Sequence, residues 1–333
     1  MSSIRRNQAW LLAIVLVTGL FAPVNAQTTV PFTLHDNIQE AIGLDKIRLL
    51  GAISLSPLAS KNPEVTELSG LAWDADEQLL YAVTDRGYLL HFQPQFEHQN
   101  LASAKLLNSF QLKDKAGRVL RDKNADSEGL AGLRTRNGIR GDSELLVSFE
   151  RNPRLQTHTP RGRFVRVNKH ASKLGQSTNY RSANKGMEAV TVHPLLGVLT
   201  SPEWSLRDDP LEQIVIYSAR GERARLPRLQ HGNAGLVALQ ALPDGSLLIL
   251  ERAHSWLSLS LVVELSRTDI VSADLPTNTT LTRERLARFD SSLGWRVDNF
   301  EGLTQHTDKR YFMVSDDNGS AIQTTILVYF ELL

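Results

Sequence analysis

One pattern returns five times along this chain, and it leaves few folds open. A small or acidic residue, usually followed by Gly, opens a short apolar strand. A turn follows, and then a second strand that ends on a carboxylate. The five openings are Ser69-Gly70-Leu71, Glu128-Gly129-Leu130, Glu188-Ala189-Val190, Ala234-Gly235-Leu236 and Glu301-Gly302-Leu303. The strands that answer them run to Asp85, Glu150, Glu203, Glu251 and Asp316. With positions 69, 128, 188, 234 and 301 taken as equivalent, the gaps are 59, 60, 46 and 67 residues. Self-similarity at such a period is the mark of a solenoid, a propeller or an array.

The residues between the units supply further strands. Tyr88–Phe92, Leu106–Phe110, Phe164–Val167, Gln213–Tyr217 and Leu261–Leu265 are β-rich, and several alternate with period two. Three or four short antiparallel strands per unit make a propeller blade. The reading is therefore an all-β chain, a β-propeller of five counted units, with a sixth blade open if the irregular stretch 268–298 conceals one. Only Leu281 to Arg288 hints at helical spacing. A β-sandwich is the alternative architecture, but it gives no reason for the recurrent openings and stops. Lys46–Ile53 is a strand without a unit of its own, and Thr324–Phe330 ends the chain. Pairing them in the last blade would close the ring and remove two exposed edges.

In a propeller, equivalent residues lie on one ring. The opening and stopping carboxylates should then crowd one mouth, where like charges raise one another's pKa or demand a cation. Two compensations are available. Arg86, Arg151 and Arg252 each follow a stop carboxylate, and Lys185 lies just before an opening. The other compensation is a hard divalent ion: calcium takes six to eight oxygens in irregular geometry. Asp126, Glu128, Glu188, Glu301 and Asp316 are the candidate metal ligands, and Arg86, Arg151, Lys185 and Arg252 the candidate anion binders. An ion-pair girdle that only fixes blade turns is the bland alternative. The loop Asp122 to Glu128 places oxygen-bearing side chains at intervals but is not an EF-hand, since its sixth position is Ser127 and its twelfth Leu133. His254 is a weaker candidate. Ser148, Ser201 and Ser315 lie in no G-x-S-x-G elbow.

Composition narrows the function classes. Lys and Arg total 37 against 36 Asp and Glu, a net charge of +1, so nothing suggests a nucleic-acid binder. The 333 residues contain no cysteine, which excludes thiol catalysis and Cys-ligated zinc. Arg5-Arg6, an apolar run of 12 residues from Trp10 to Phe21 and Val24-Asn25-Ala26 together have the form of a cleavable export signal over 1–26. An uncleaved anchor is the alternative. Residues 27–44 are then a lead-in, and 45–333 the propeller. No membrane span is expected in the mature chain, which is read as a monomer of the periplasm or the extracellular medium.

The motifs resemble the phytase-like family (esterase-like activity of phytase). The resemblance rests on Ser69-Gly70-Leu71, Asp126-Ser127-Glu128-Gly129-Leu130 with Phe149-Glu150-Arg151, Gly186-Met187-Glu188-Ala189, Leu250-Glu251-Arg252, Asn299-Phe300-Glu301-Gly302-Leu303 and Val314-Ser315-Asp316-Asp317-Asn318. It covers about residues 45–333 and implies an exported propeller grouped with phosphoesterases. The expected activity is metal-assisted hydrolysis of a phosphate or carboxylic ester, with calcium as the cation and an anionic small molecule as substrate. Two alternatives stand beside it: a non-catalytic propeller that binds a ligand or an envelope protein, and a lactonase-like calcium enzyme.

Overall fold

The computed structural model describes residues 29–38, 43–255, 260–270 and 280–333. The export signal expected over 1–26 lies outside the described residues. In chain order the strands are β1 (Val30–Pro31), β2 (Ile47–Ser54), β3 (Leu68–Asp74), β4 (Leu79–Thr84), β5 (Tyr88–Glu97), β6 (Asn100–Gln111) and β7 (Ser127–Leu133). They continue with β8 (Glu144–Phe149), β9 (Arg154–His158), β10 (Phe164–Asn168), β11 (Met187–His193), β12 (Gly197–Pro202), β13 (Gln213–Ser218) and β14 (Arg223–Pro227). The last seven are β15 (Gly235–Ala241), β16 (Ser246–Ser255), β17 (Ser260–Asp269), β18 (Glu284–Asp290), β19 (Asn299–Thr307), β20 (Arg310–Asp316) and β21 (Ile326–Leu332).

These strands form five antiparallel sheets, which are the five blades of a propeller. Blades 1 to 4 are β3-β4-β5-β6, β7-β8-β9-β10, β11-β12-β13-β14 and β15-β16-β17-β18. Blade 5 runs β19-β20-β21-β2-β1. The expected closure is present: β2, from the start of the chain, pairs antiparallel with β21 from its end, with Ile53 opposite Leu327. Within the expected lead-in, β1 adds a further strand outside β2, with Val30 opposite Ser54. The stretch from 281 to 288, which hinted at helix, carries β18 instead. Its pairing with β17, Val263 opposite Phe289, outweighs a weak local period.

The inner strands β3, β7, β11, β15 and β19 touch one another in ring order and surround the central channel. The hydrophobic core is divided among the five gaps between blades. Tyr81 and Val83 of blade 1 meet Leu130 and Phe149 of blade 2, and Leu199 and Ile216 of blade 3 meet Leu236 and Ile249 of blade 4. Val263 and Phe289 meet Phe300 and Tyr311 between blades 4 and 5. The Gly of the repeat has a steric cause in this packing. A Cβ on Gly70 would lie 2.4 Å from the Glu128 carbonyl oxygen, and one on Gly129 would lie 2.6 Å from that of Glu188. The inner strands approach that closely, and only a missing side chain lets them.

Candidate active site at the acidic mouth

The inner hairpins share an irregularity that aims the repeat's carboxylates. In each of them the register slips near the start of the inner strand: between Leu68 and Gly70, Ser127 and Leu130, Met187 and Ala189, Leu236 and Ala238, and Phe300 and Gly302. Such a bulge leaves one residue out of the ladder and redirects its side chain. The equivalent bulged residues are Ser69, Glu128, Glu188, Val237 and Glu301. Just past the paired end of the second strand stand Asp85, Glu150, Glu203, Arg252 and Asp316.

Blade 4 therefore departs from the expected alignment. Its opening is Leu236-Val237-Ala238, three residues later than Ala234-Gly235-Leu236. Glu251 pairs with Leu236 inside the ladder, so Arg252 takes the place that a carboxylate takes in the other blades. Glu251 turns away from the mouth, where it accepts a hydrogen bond from the Leu229 amide at 2.7 Å and pairs with Arg283.

Seven carboxylates consequently share one end of the ring: Asp85, Glu128, Glu150, Glu188, Glu203, Glu301 and Asp316, with Asp126 beside them. Three groupings bring ligand oxygens within 4.8 Å of one another: Asp85 with Glu128 and Glu301, Asp126 with Glu128 and Glu150, and Glu150 with Glu188 and Glu203. Of the predicted metal ligands, Asp126, Glu128, Glu188 and Glu301 fall in these groupings. Asp316 stands at the edge, held by the Asn318 amide at 2.7 Å and by Asn299 at 3.1 Å.

The cations cover only one side. Arg252 Nη1 lies 2.9 Å from Glu301 Oε1, and its Nη2 lies 3.3 Å from Glu203 Oε1. Lys185 Nζ lies 2.6 Å from Glu203 Oε2. Among the described residues, no lysine or arginine pairs with Asp85, Glu128, Glu150, Glu188 or Asp316. Glu128 and Glu188 are 8 % and 4 % exposed, yet among the described residues their carboxylates accept no hydrogen bond.

Protonation is the chain's own answer to this arrangement. Burial first, then the neighbouring carboxylates, push Asp85, Glu128 and Glu188 well above the usual carboxylate range. Burial pushes Glu150 up to about 7 and Asp316 up to about 8. Burial works against the charge on Arg252, but Glu301, Glu203 and Glu188 outweigh it and raise its pKa.

The four predicted anion binders separate. Lys185 and Arg252 line a cavity of about 480 Å³ at the mouth, together with Glu203, Trp204, Asn299 and Asn318. The Trp204 ring lies under Lys185 Nζ at 5.4 Å, and its buried Nε1 has no hydrogen-bond partner. His254 lines this cavity too. Arg86 and Arg151 stand one residue farther along their strands with side chains half exposed, paired with Glu67 and with Asp126. Arg151 instead lines a neighbouring cavity of about 250 Å³ beside Glu150. Ser148, Ser201 and Ser315 are buried, with hydroxyls committed to the backbone at Glu188, Val215 and Thr324. Trp204 and Asn299 were not singled out by the repeat, because each flanks a ring position without occupying one.

The family model described as "Phytase-like: Esterase-like activity of phytase" matches residues 63–319. Comparison with curated proteins finds no match.

Proposed function

We propose that this chain, which belongs to the phytase-like family, is an exported, metal-assisted hydrolase of phosphate or carboxylic esters. The observation that carries the reading is the pair Glu128 and Glu188, two buried acids with no compensating partner in a ring that crowds further acids against them. Buried charge without a partner costs several kcal/mol, at about 1.4 kcal/mol per unit of pKa shift. A fold does not retain such a cluster for stability, whereas a hard divalent cation such as calcium fits an all-oxygen, irregular donor set.

Glu128 would hold the cation with Asp85 and Asp126, and Glu188, Glu301 and Asp316 complete the acidic surround. When bound, the cation would polarise the ester oxygen and ease deprotonation of water. The chain's own residues supply the rest. Glu150 belongs both to the grouping around Glu128 and to the one around Glu188, so its Oε atoms are placed to take a proton between the cation seat and the basic side. Lys185 and Arg252 orient the anionic group over the cavity, and Trp204 gives it a flat wall. Arg86 and Arg151 act at the rim, steering anions inward. The segment 1–26 would direct export and be removed after Ala26, which intact-mass measurement of the mature protein checks.

The experiment is a hydrolysis screen of phosphate monoesters, carboxylic esters and lactones, with and without calcium, on wild type, E128Q and E188Q. Calcium-dependent turnover lost in both variants supports the reading. Turnover that survives both substitutions overturns it. A second reading rests on the bridge that Arg252 makes between Glu203 and Glu301. An ion-pair girdle on a non-catalytic propeller that binds a ligand or an envelope protein would show neither calcium binding nor turnover. Lactones cleaved in preference to phosphate esters would favour the lactonase-like chemistry.

A further inference from the structure

Blade 4 breaks the ring at both of its positions. The bulged residue, Ser or Glu in the other blades, is the apolar Val237. The residue past the second strand, a carboxylate in the other blades, is Arg252. Two consecutive changes at equivalent places, one removing a polar group and the other reversing a charge, alter what the neighbouring acids face. Arg252 reaches to both sides, to Glu203 of blade 3 and Glu301 of blade 5. Lys185 takes the remaining oxygen of Glu203, and Asn299 donates to Glu301 at 2.8 Å. On that side the acids have protein cations. On the other side, around Glu128, they have none.

We infer that Arg252 is a resident substitute for a second divalent cation, so that the mouth takes one metal ion, centred on Glu128 between blades 1 and 2, where an unbroken acidic ring would take two. The inference rests on the cation reading proposed above and adds its stoichiometry and position. The grouping Glu150, Glu188 and Glu203 has the ligand oxygens for a second ion. Lys185 and Arg252 already place two positive charges against Glu203. A dication brought there would meet those charges at close range, where repulsion in a partly dehydrated site is strong. Glu188, buried and without a hydrogen bond, is the unused ligand on that side. Val237 supplies no further oxygen, so the guanidinium spans the gap that the missing carboxylate leaves.

The test is a count of tightly bound calcium per full chain by equilibrium dialysis, backed by native mass spectrometry, after removal of metal with a chelator. Wild type should bind one ion and R252Q two. R252Q/E188Q should return to one, and R252K, which keeps the charge, should stay at one. R252Q that is unfolded in chelator but folds when calcium is added supports the inference, because the cation then replaces the guanidinium. R252Q that does not fold with calcium overturns it. Two ions in wild type, or one in both wild type and R252Q, overturns this inference while leaving the cation reading standing. No ion in either protein overturns the cation reading and this inference with it.

Discussion

The two ends of the central channel are built by the same five strands and treat polarity in opposite ways. At the far end Trp73, Gly132, Thr191, Gln240, Thr304 and Gln305 line a cavity of about 120 Å³. There the polar side chains have protein partners. Thr304 accepts from the Trp73 amide at 3.1 Å, Thr191 from the Ala241 amide at 2.9 Å, and Gln240 from the Gln305 amide at 3.2 Å. These bonds stitch each inner strand to another, and no carboxylate lies among the lining residues. At the mouth, the bulges aim acids at one another and leave Glu128 and Glu188 without a hydrogen bond. Ring closure therefore does not require acids along the channel. The far end closes the ring with neutral groups, and the mouth carries a charge arrangement that ring packing alone does not explain.

The largest expected effect tests the compensated side of the mouth. R252Q strips the partner from two buried acids, and breaking a buried pair in this way costs about 3–5 kcal/mol. Denaturant unfolding of the metal-free variant at neutral pH should read that loss, and a loss below about 1 kcal/mol would remove Arg252 from the balance of charge.

The pH dependence of the metal-stripped chain comes next. Glu150 and Asp316 have native values raised to about 7 and about 8 from ordinary values of 4.5 and 3.8. The folded state then holds protons that the unfolded state has released. Stability is full below about pH 4 and declines as pH rises towards 8, by on the order of 2 kcal/mol. Thermal melting in chelator across that window should show the decline. Calcium should restore the loss more at pH 8 than at pH 5, because the ion competes with protons. A melting temperature that rises from pH 5 to pH 8 in chelator would contradict the picture.

E128Q should have the sign that a functional, destabilising acid gives. In chelator at pH 8 it should stabilise the fold by about 1–2 kcal/mol through relief of like-charge crowding. At the far end T304V should do the reverse. It leaves the buried Trp73 amide without its acceptor, which costs about 1–2 kcal/mol, and calcium affinity should not change. If T304V and E128Q shifted stability in the same direction, the contrast between the two ends would fail.

Much of this was legible in the sequence. The recurrent opening and stop identified the propeller, the blade number and the closing strand, because a blade is a local hairpin pattern that repeats. The opening in blade 4 was misplaced for a physical reason. Ala234-Gly235-Leu236 copies the local chemistry of the opening, but register is decided by the ladder and the turn. From the bulged residue to the residue that closes the hairpin there are five positions in blades 1 to 3: 69 to 74, 128 to 133 and 188 to 193. Counting back five from Leu242, whose amide closes the turn on Ser246, gives Val237. That count was available in the sequence and places Arg252 in the ring. The division between Arg252 and the superficially similar Arg86 and Arg151 depends on the same one-residue difference. The roles of Trp204 and Asn299 depend on which side chains meet across blades, and no periodicity within one unit encodes that.

The central claim is that the acidic mouth is a cation site. Calorimetric titration of the metal-stripped full chain with calcium at neutral pH, with thermal melting alongside, tests it most directly. The account predicts saturable binding of one ion to wild type with a raised melting temperature, since a ligand that binds only the native state must stabilise it. It predicts that E128Q loses both effects. Absence of binding and of any thermal shift in wild type up to about millimolar calcium, the weak end of known protein calcium sites, would contradict it.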